Sequence, residues 1–333
     1  MSTPLTRRDF LRLTSITLLG LPLKPLPPDD RETPLYYGRV IFVYLTVYGR
    51  PSVYGRTMAL HELETVLPIY AEVEGEDKNA YNNKWYRTRD GYIHSTNVQP
   101  VDIRPNPPAL ISKPRLGEIT LPYTDSYLRP DYASNTAHRL YYGSTHWVSG
   151  SKVDGRNRTW YELLNDRGGD NYYVPVAAVR LIASDELNPL SPNAVNKSIR
   201  IDTTAQTITA YEDEAPVLTA RTSSGGEFGS GKDFRTPLGD YVIDRKRPSR
   251  HMAAGDLAAD DAYDLPGVPW VSYFNGGIAI HGTYWHNDYG RPWSHGCINV
   301  SPPDAKWFYR WTLPMAPADR PLIQARGTTV TVV

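Results

Sequence analysis

The sequence predicts a mainly β protein made of several small units with one short helix. Three observations carry this. The 333 residues include 29 Pro and 25 Gly, residues that punctuate a chain into short strands. Aromatics are lopsided, 24 Tyr and 8 Trp against 6 Phe. Tyr and Trp suit half-buried strands and wet binding surfaces. Segments such as Ser198–Asp202 and Gln206–Tyr211 alternate apolar and polar residues with the period of a strand.

The chain opens on Thr6-Arg7-Arg8-Asp9-Phe10-Leu11-Arg12 and an apolar run over 13–21. This resembles a twin-arginine export signal, which implies a place in the cell envelope, periplasm or wall. The run is shorter than the ~20 residues that span a bilayer. No A-x-A site follows and no cysteine is available for lipidation, so an uncleaved signal acting as an anchor is one expected outcome. A Pro-rich, charged linker occupies 22–34.

Two related segments come next. One holds Lys84-Trp85-Tyr86-Arg87, Gly91-Tyr92-Ile93 and Val98–Val101; the other holds Thr159-Trp160-Tyr161-Glu162, Tyr172-Tyr173-Val174 and Val179–Ile182. The shared order is Trp-Tyr, a turn, Tyr-[Ile/Val], then an alternating tail. The pattern resembles bacterial SH3-like small barrels in tandem, in which the two aromatic strands pair across the turn. Such barrels bind wall polymers or act as spacers. The expected division is an export signal and linker at 1–33, SH3-like domains at 34–110 and 111–187, and a β-rich domain at 188–333.

After Asn188-Pro189-Leu190-Ser191-Pro192 the pattern is short strands: Ser198–Asp202, Gln206–Tyr211 and Pro216–Thr222. Ser223–Gly226 and Gly229–Lys232 read as turns or a mobile loop. Their spacing does not match a phosphate loop, and no helix start follows. The polar stretch Arg245–Asp264 reads as a lid or a solvated loop. Gly276–His281 reads as a buried strand that delivers His281 at its end. Ser301-Pro302-Pro303-Asp304 has a Ser cap, Pro at the first position and Asp in the first turn. It starts a helix expected to reach about Thr312, burying Phe308 and Trp311. Thr328–Val333 is a final strand.

Cys297 is the sole cysteine, which excludes a disulfide framework and a cysteine-rich zinc knuckle. Equal numbers of acidic and basic residues, 36 each, argue against a nucleic-acid partner. His281 lies sixteen positions before the cysteine and His295 two before it. A thiol near a histidine gains a means of losing its proton as it attacks. Gly296 permits a tight turn that brings backbone N–H groups toward a reacting oxygen.

Ile280-His281-Gly282-Thr283, Ser294-His295-Gly296-Cys297-Ile298-Asn299-Val300 and Thr236-Pro237-Leu238-Gly239-Asp240-Tyr241 resemble the L,D-transpeptidase catalytic domain, the YkuD family, over about 196–333. The resemblance implies a β-rich fold with a short helix after the Cys loop and no cofactor or metal. It implies peptidoglycan stem peptides as partners. Cys297 would form a thioester with the donor stem and release D-Ala, and an amine of a second stem would take the acyl group. His281 is the implied general base. Its orienting partner, commonly a backbone carbonyl in the family, is not assignable from sequence. His295 sits where many members carry His, and either touches substrate or braces the loop. Ser294 fixes the loop. Gly296 and the Cys297 N–H are candidate oxyanion donors. Asn299 stands where Arg is more frequent and can hydrogen-bond the stem. Tyr284, Trp285 and Trp293 would line the groove or form an aromatic minicore, and Arg250 would meet stem carboxylates. Carbapenem-type inhibitors are expected.

Other readings are a wall-binding SH3-like protein with a degenerate catalytic domain, an L,D-carboxypeptidase using water, and metal catalysis by His281, His286, Asp288, His295 and Cys297. The last would need a helix through 281–286, which Gly282 and the strand-like lead-in oppose. A papain-like protease would place its Cys before its His.

Overall fold

The computed structural model describes residues 32–227, 233–254 and 262–333. The export-signal segment lies outside them. Strands dominate the chain, and the one α-helix among the described residues is Pro302–Trp311. No helix among them is long and apolar enough to cross a membrane.

Strand pairing falls into three sets. Strands between Tyr36 and Val101 form a three-stranded and a five-stranded sheet. These enclose Val40, Val47, Ile69, Tyr86, Ile93 and Val98. Strands between Arg115 and Leu181 form one seven-stranded sheet around Ile119, Val148, Tyr161 and Val174. The duplicated sequence pattern is a duplicated pairing. Tyr86 lies opposite Ile93 and Tyr161 opposite Val174. In each copy a single 3₁₀ turn follows, Ser95–Asn97 or Val176–Ala178, and leads into the last strand. The Tyr faces the core in both because side chains alternate along a strand.

Residues 197–332 build two five-stranded sheets. One runs Ala215–Arg221, Thr207–Glu212, Lys197–Asp202, Thr329–Val332, Gly239–Val242; the other runs Ile298–Val300, Ile278–Gly282, Tyr263–Asn275, Arg245–Ala254, Ile323–Gln324. Their shared core includes Ile199, Ile208, Trp270, Ile280, Phe308 and Trp311. The Ser301 hydroxyl caps the helix by accepting from the Asp304 N–H at 3.3 Å. The other helix end is served by Lys246. Its buried ammonium donates to the carbonyls of Tyr309, Thr312 and Pro314. Those carbonyls have no partner within a helix.

Two sequence expectations change. Arg245–Asp264 is neither a lid nor a solvated loop over its described part. Arg245–Ala254 is a ten-residue strand paired with Tyr263–Asn275. Its charged side chains hid the strand because their partners are distant in sequence: Lys246 reaches the end of the helix and Arg250 reaches Asp166 of the neighbouring unit. Of the two stretches read as turns or a mobile loop, Gly229–Lys232 lies outside the described residues, and Ser223–Gly226 is not a mobile loop. Ser223 and Ser224 are buried, and the segment bridges Asn299 and Ser294. A Cβ on Gly225 would lie 1.9 Å from the Phe234 carbonyl oxygen. The glycine is there for that close approach.

Candidate active site

Parallel pairing brings the cysteine to the histidine. The strand Ile278–Gly282 runs beside Ile298–Val300, with Ile280 opposite Ile298 and His281 opposite Asn299. Cys297, one residue before its strand, therefore falls beside Ala279. Both Cys297 and His281 line a cavity of about 510 Å³. Met252, Tyr263 and Leu265 form another wall, and Trp285, Trp293, Ser294, His295 and Asn299 also reach it. No Lys, Arg, Asp or Glu lines it among the described residues.

Burial governs both central groups. Cys297 is half-buried, open toward the cavity but backed by dense protein. That burial pushes the thiol up to about 11, although the Ala279 N–H bonds the sulfur and favours the thiolate. The neutral thiol faces the Gly277 carbonyl at 3.8 Å. Burial likewise holds His281 down to about 4, against a hydrogen bond to Gly282 that favours the charged form. Nδ1 of His281 lies 3.1 Å from the Gly282 carbonyl oxygen. Neutral imidazole has one donor, so the proton sits on Nδ1 and Nε2 keeps a lone pair. Gly282 is the orienting carbonyl that sequence alone left open.

The Cys loop is braced from three sides. The Gly296 N–H donates to the Ser294 hydroxyl at 3.1 Å, and that hydroxyl donates to the Cys297 carbonyl. Thr236, of the Thr-Pro-Leu-Gly motif, accepts from the Gly225 N–H at 2.9 Å and donates to the Gly296 carbonyl at 2.8 Å. Gly296 has φ +111°, a conformation that favours glycine. His295 packs between Phe234 and Tyr263, with ring centroids at 4.6 and 5.3 Å.

Asn299 is buried against His286, amide to Nε2 at 2.8 Å. Nδ1 of His286 accepts from the Asp288 N–H at 3.2 Å. Burial holds His286 neutral, down to about 3, so its one proton is on Nε2. The amide oxygen must then face His286, and the amide NH₂ takes the other position. That position is buried with no hydrogen-bond partner, on a residue that lines the cavity.

Two sequence-predicted site residues are elsewhere. Tyr284 is 2% exposed; its hydroxyl donates to the Pro266 carbonyl and its ring stacks on Tyr141. It packs the junction between units rather than the groove. Arg250 pairs with the Asp166 carboxylate at 3.0 Å, which neutralises it away from the cavity. Gly296 is also less free than expected, because its N–H is engaged by Ser294. Sequence reasoning passed over Met252, Leu265 and Ile278, ordinary apolar residues that carry no signal until the fold assembles them.

A model of the YkuD family, described as the L,D-transpeptidase catalytic domain, matches residues 196–332. Residues 196–332 are a YkuD-family L,D-transpeptidase catalytic domain. A Bacillus subtilis (strain 168) protein, whose name assigns it to the L,D-transpeptidases, is 29% identical over 131 residues. The match takes in 35% of this chain and 63% of that relative, so the chain spans less than two thirds of its length. Among solved structures, an L,D-transpeptidase from Mycobacterium smegmatis is 19% identical with a TM-score of 0.34, covering 53% of this chain and 90% of that one. An L,D-transpeptidase in complex with imipenem is 16% identical with a TM-score of 0.34, covering 69% and 99%. The L,D-transpeptidase domain here carries the YkuD His on one strand and Ser-His-Gly-Cys in the loop that leads into its parallel neighbour.

Proposed function

We propose that this chain is a peptidoglycan L,D-transpeptidase that acts through Cys297. The observation that carries the reading is one cavity holding Cys297 and a His281 whose Nδ1 is tied to Gly282. Nε2 of His281 takes the thiol proton as sulfur attacks the carbonyl before the terminal D-Ala. The Cys297 N–H is the favoured oxyanion donor, since the Gly296 N–H is spent on Ser294. The imidazolium returns its proton to the departing D-Ala amine, leaving a thioester. An amine of a second stem then loses its proton to His281 and takes the acyl group.

Neutral groups would read the donor stem. The amide NH₂ of Asn299 is a buried donor in need of an acceptor, and an unmet buried polar atom costs about 1–3 kcal/mol. A stem carbonyl or carboxylate would answer it once the Asn299 side chain turns toward the cavity it lines. Trp285 and Trp293 supply apolar faces, and His295, packed in an aromatic slot, presents an edge to the substrate. Stem peptides are the partners, and carbapenem-type β-lactams are inhibitors, because a ring-opened lactam is an acyl donor to the same sulfur.

The N-terminal units, 34–110 and 111–187, are read as SH3-like domains and 188–333 as the catalytic domain. The twin-arginine-like segment before them supports export to the cell envelope. Incubation of the full chain with stem tetrapeptides and mass spectrometry tests the reading. D-Ala release with cross-linked dimers supports it. D-Ala release without dimers supports the carboxypeptidase alternative, and no release sinks both.

A further inference from the structure

We propose that His138, His251 and Asp264 form a binding site for a divalent transition-metal ion of the zinc type, separate from the thiol site. His138 lies on the strand Thr136–Tyr141 of the seven-stranded sheet; His251 and Asp264 lie on the paired strands Arg245–Ala254 and Tyr263–Asn275. One ligand-type atom from each lies within 4.8 Å of the others. The two imidazole rings approach to 5.1 Å edge to face, and Nε2 of His251 is bonded to the Asp264 carboxylate. Two imidazoles and a carboxylate, with a fourth position for water, is a donor set that suits zinc. Ligand atoms in a tetrahedral site sit about 3.3 Å apart given bonds of about 2.0–2.1 Å. Side-chain torsions of half-buried His138 and of Asp264 can close that gap. The ion would take the place of the hydrogen bond between His251 and Asp264.

The charged surroundings are mixed. Arg167 lies 3.7 Å from the Asp264 carboxylate and opposes a cation. The Asp166 carboxylate accepts from the His251 backbone N–H at 3.1 Å and favours one, although it also holds Arg250. Arg167 is half-exposed, so the opposing charge is screened by solvent.

Placement gives the site its consequence. Successive strand residues face opposite sides. Tyr263 and Leu265 flank Asp264, and Met252 follows His251 at the irregularity between Arg250 and Met252; all three line the cavity of Cys297. The ion would bind one face of this hairpin while the other face forms the cavity wall. It would tie the wall to the seven-stranded sheet.

The test uses the full chain with Cys297→Ser, which removes the thiol as a competing ligand, and Co²⁺ and Zn²⁺ chlorides as probes. One equivalent of Co²⁺ should give the visible bands of a four-coordinate ion, Zn²⁺ should displace it, and Tm should rise with Zn²⁺. Bands and Tm shift should both vanish in His138→Gln and Asp264→Asn. No bands with the parent, or bands and shift unchanged in both variants, overturns the proposal. Should the variants fail to fold, zinc X-ray absorption on the Cys297→Ser chain decides. Two-imidazole scattering supports the site, and its absence overturns it.

Discussion

The Arg39 guanidinium donates to the backbone carbonyl of Tyr284 at 2.6 Å, joining the first β unit to the chain three residues past His281. Arg39 is 2% exposed, reaches Gln99 at 2.7 Å and lies over the Tyr141 ring at 4.3 Å. The segment after His281 is thus held by both N-terminal sheet systems. Arg39→Ala should destabilise the chain by about 1–3 kcal/mol, because the buried Tyr284 carbonyl loses its donor. Arg39→Lys should not restore it, since an ammonium cannot serve Gln99 and Tyr284 as a planar fork. Urea unfolding of the two variants measures this.

Three buried histidines predict acid sensitivity. Burial holds His281 to about 4 and His146 and His286 to about 3. Unfolded, each titrates near its ordinary value, about 6.5. Between that value and the folded one the unfolded chain binds more protons, so stability falls as pH drops through about 6.5 toward 4. For His281 alone, 6.5 to about 4 corresponds to on the order of 3 kcal/mol once pH is below both values. Tm against pH should show this slope, and His281→Gln should make it shallower.

The same environment shapes the pH–rate profile. A thiol held up to about 11 and an imidazole held down to about 4 are both neutral across the range between. Proton transfer then accompanies attack. Single-turnover acylation should be nearly flat from about pH 6 to 9. A bell with limbs inside that range would mean a preformed thiolate–imidazolium pair.

Thr236→Val should slow acylation while leaving the fold. Its hydroxyl is the link between the Gly225 N–H and the Gly296 carbonyl, so its loss unmakes two hydrogen bonds under the Cys loop. Thr236→Ser should recover most of the rate. Stopped-flow acylation of the two variants compares them.

His281→Ala should cost acylation ~10²–10⁴-fold, the usual range for a lost general base, and more than His295→Ala. The reverse order would move the base to His295.

Much of this was legible beforehand because motif chemistry is local. His281, Gly296 and Cys297 announce themselves by type and spacing, and the Ser301 cap marks its helix to within a residue. The Trp-Tyr repeat foretold strand pairing because aromatic alternation is a property of neighbours in sequence. What stayed hidden depends on distant partners. Tyr284 reads as a groove residue until Arg39, 245 positions away, takes its carbonyl. Arg250 reads as a free cation until Asp166 neutralises it. Ser223–Gly226 reads as loop because nothing in it shows that Asn299 and Ser294 will bridge to it.

The most direct measurement is intact-protein mass after brief exposure to a stem tetrapeptide and, separately, to a carbapenem. Cys297 acylation predicts a tetrapeptide adduct lacking D-Ala and a carbapenem adduct of one whole drug mass. Both should map to Cys297, form slowly in His281→Ala and be absent from Cys297→Ala. Adducts of equal yield in Cys297→Ala, or D-Ala release without any involvement of Cys297, would contradict a cysteine acyl transfer.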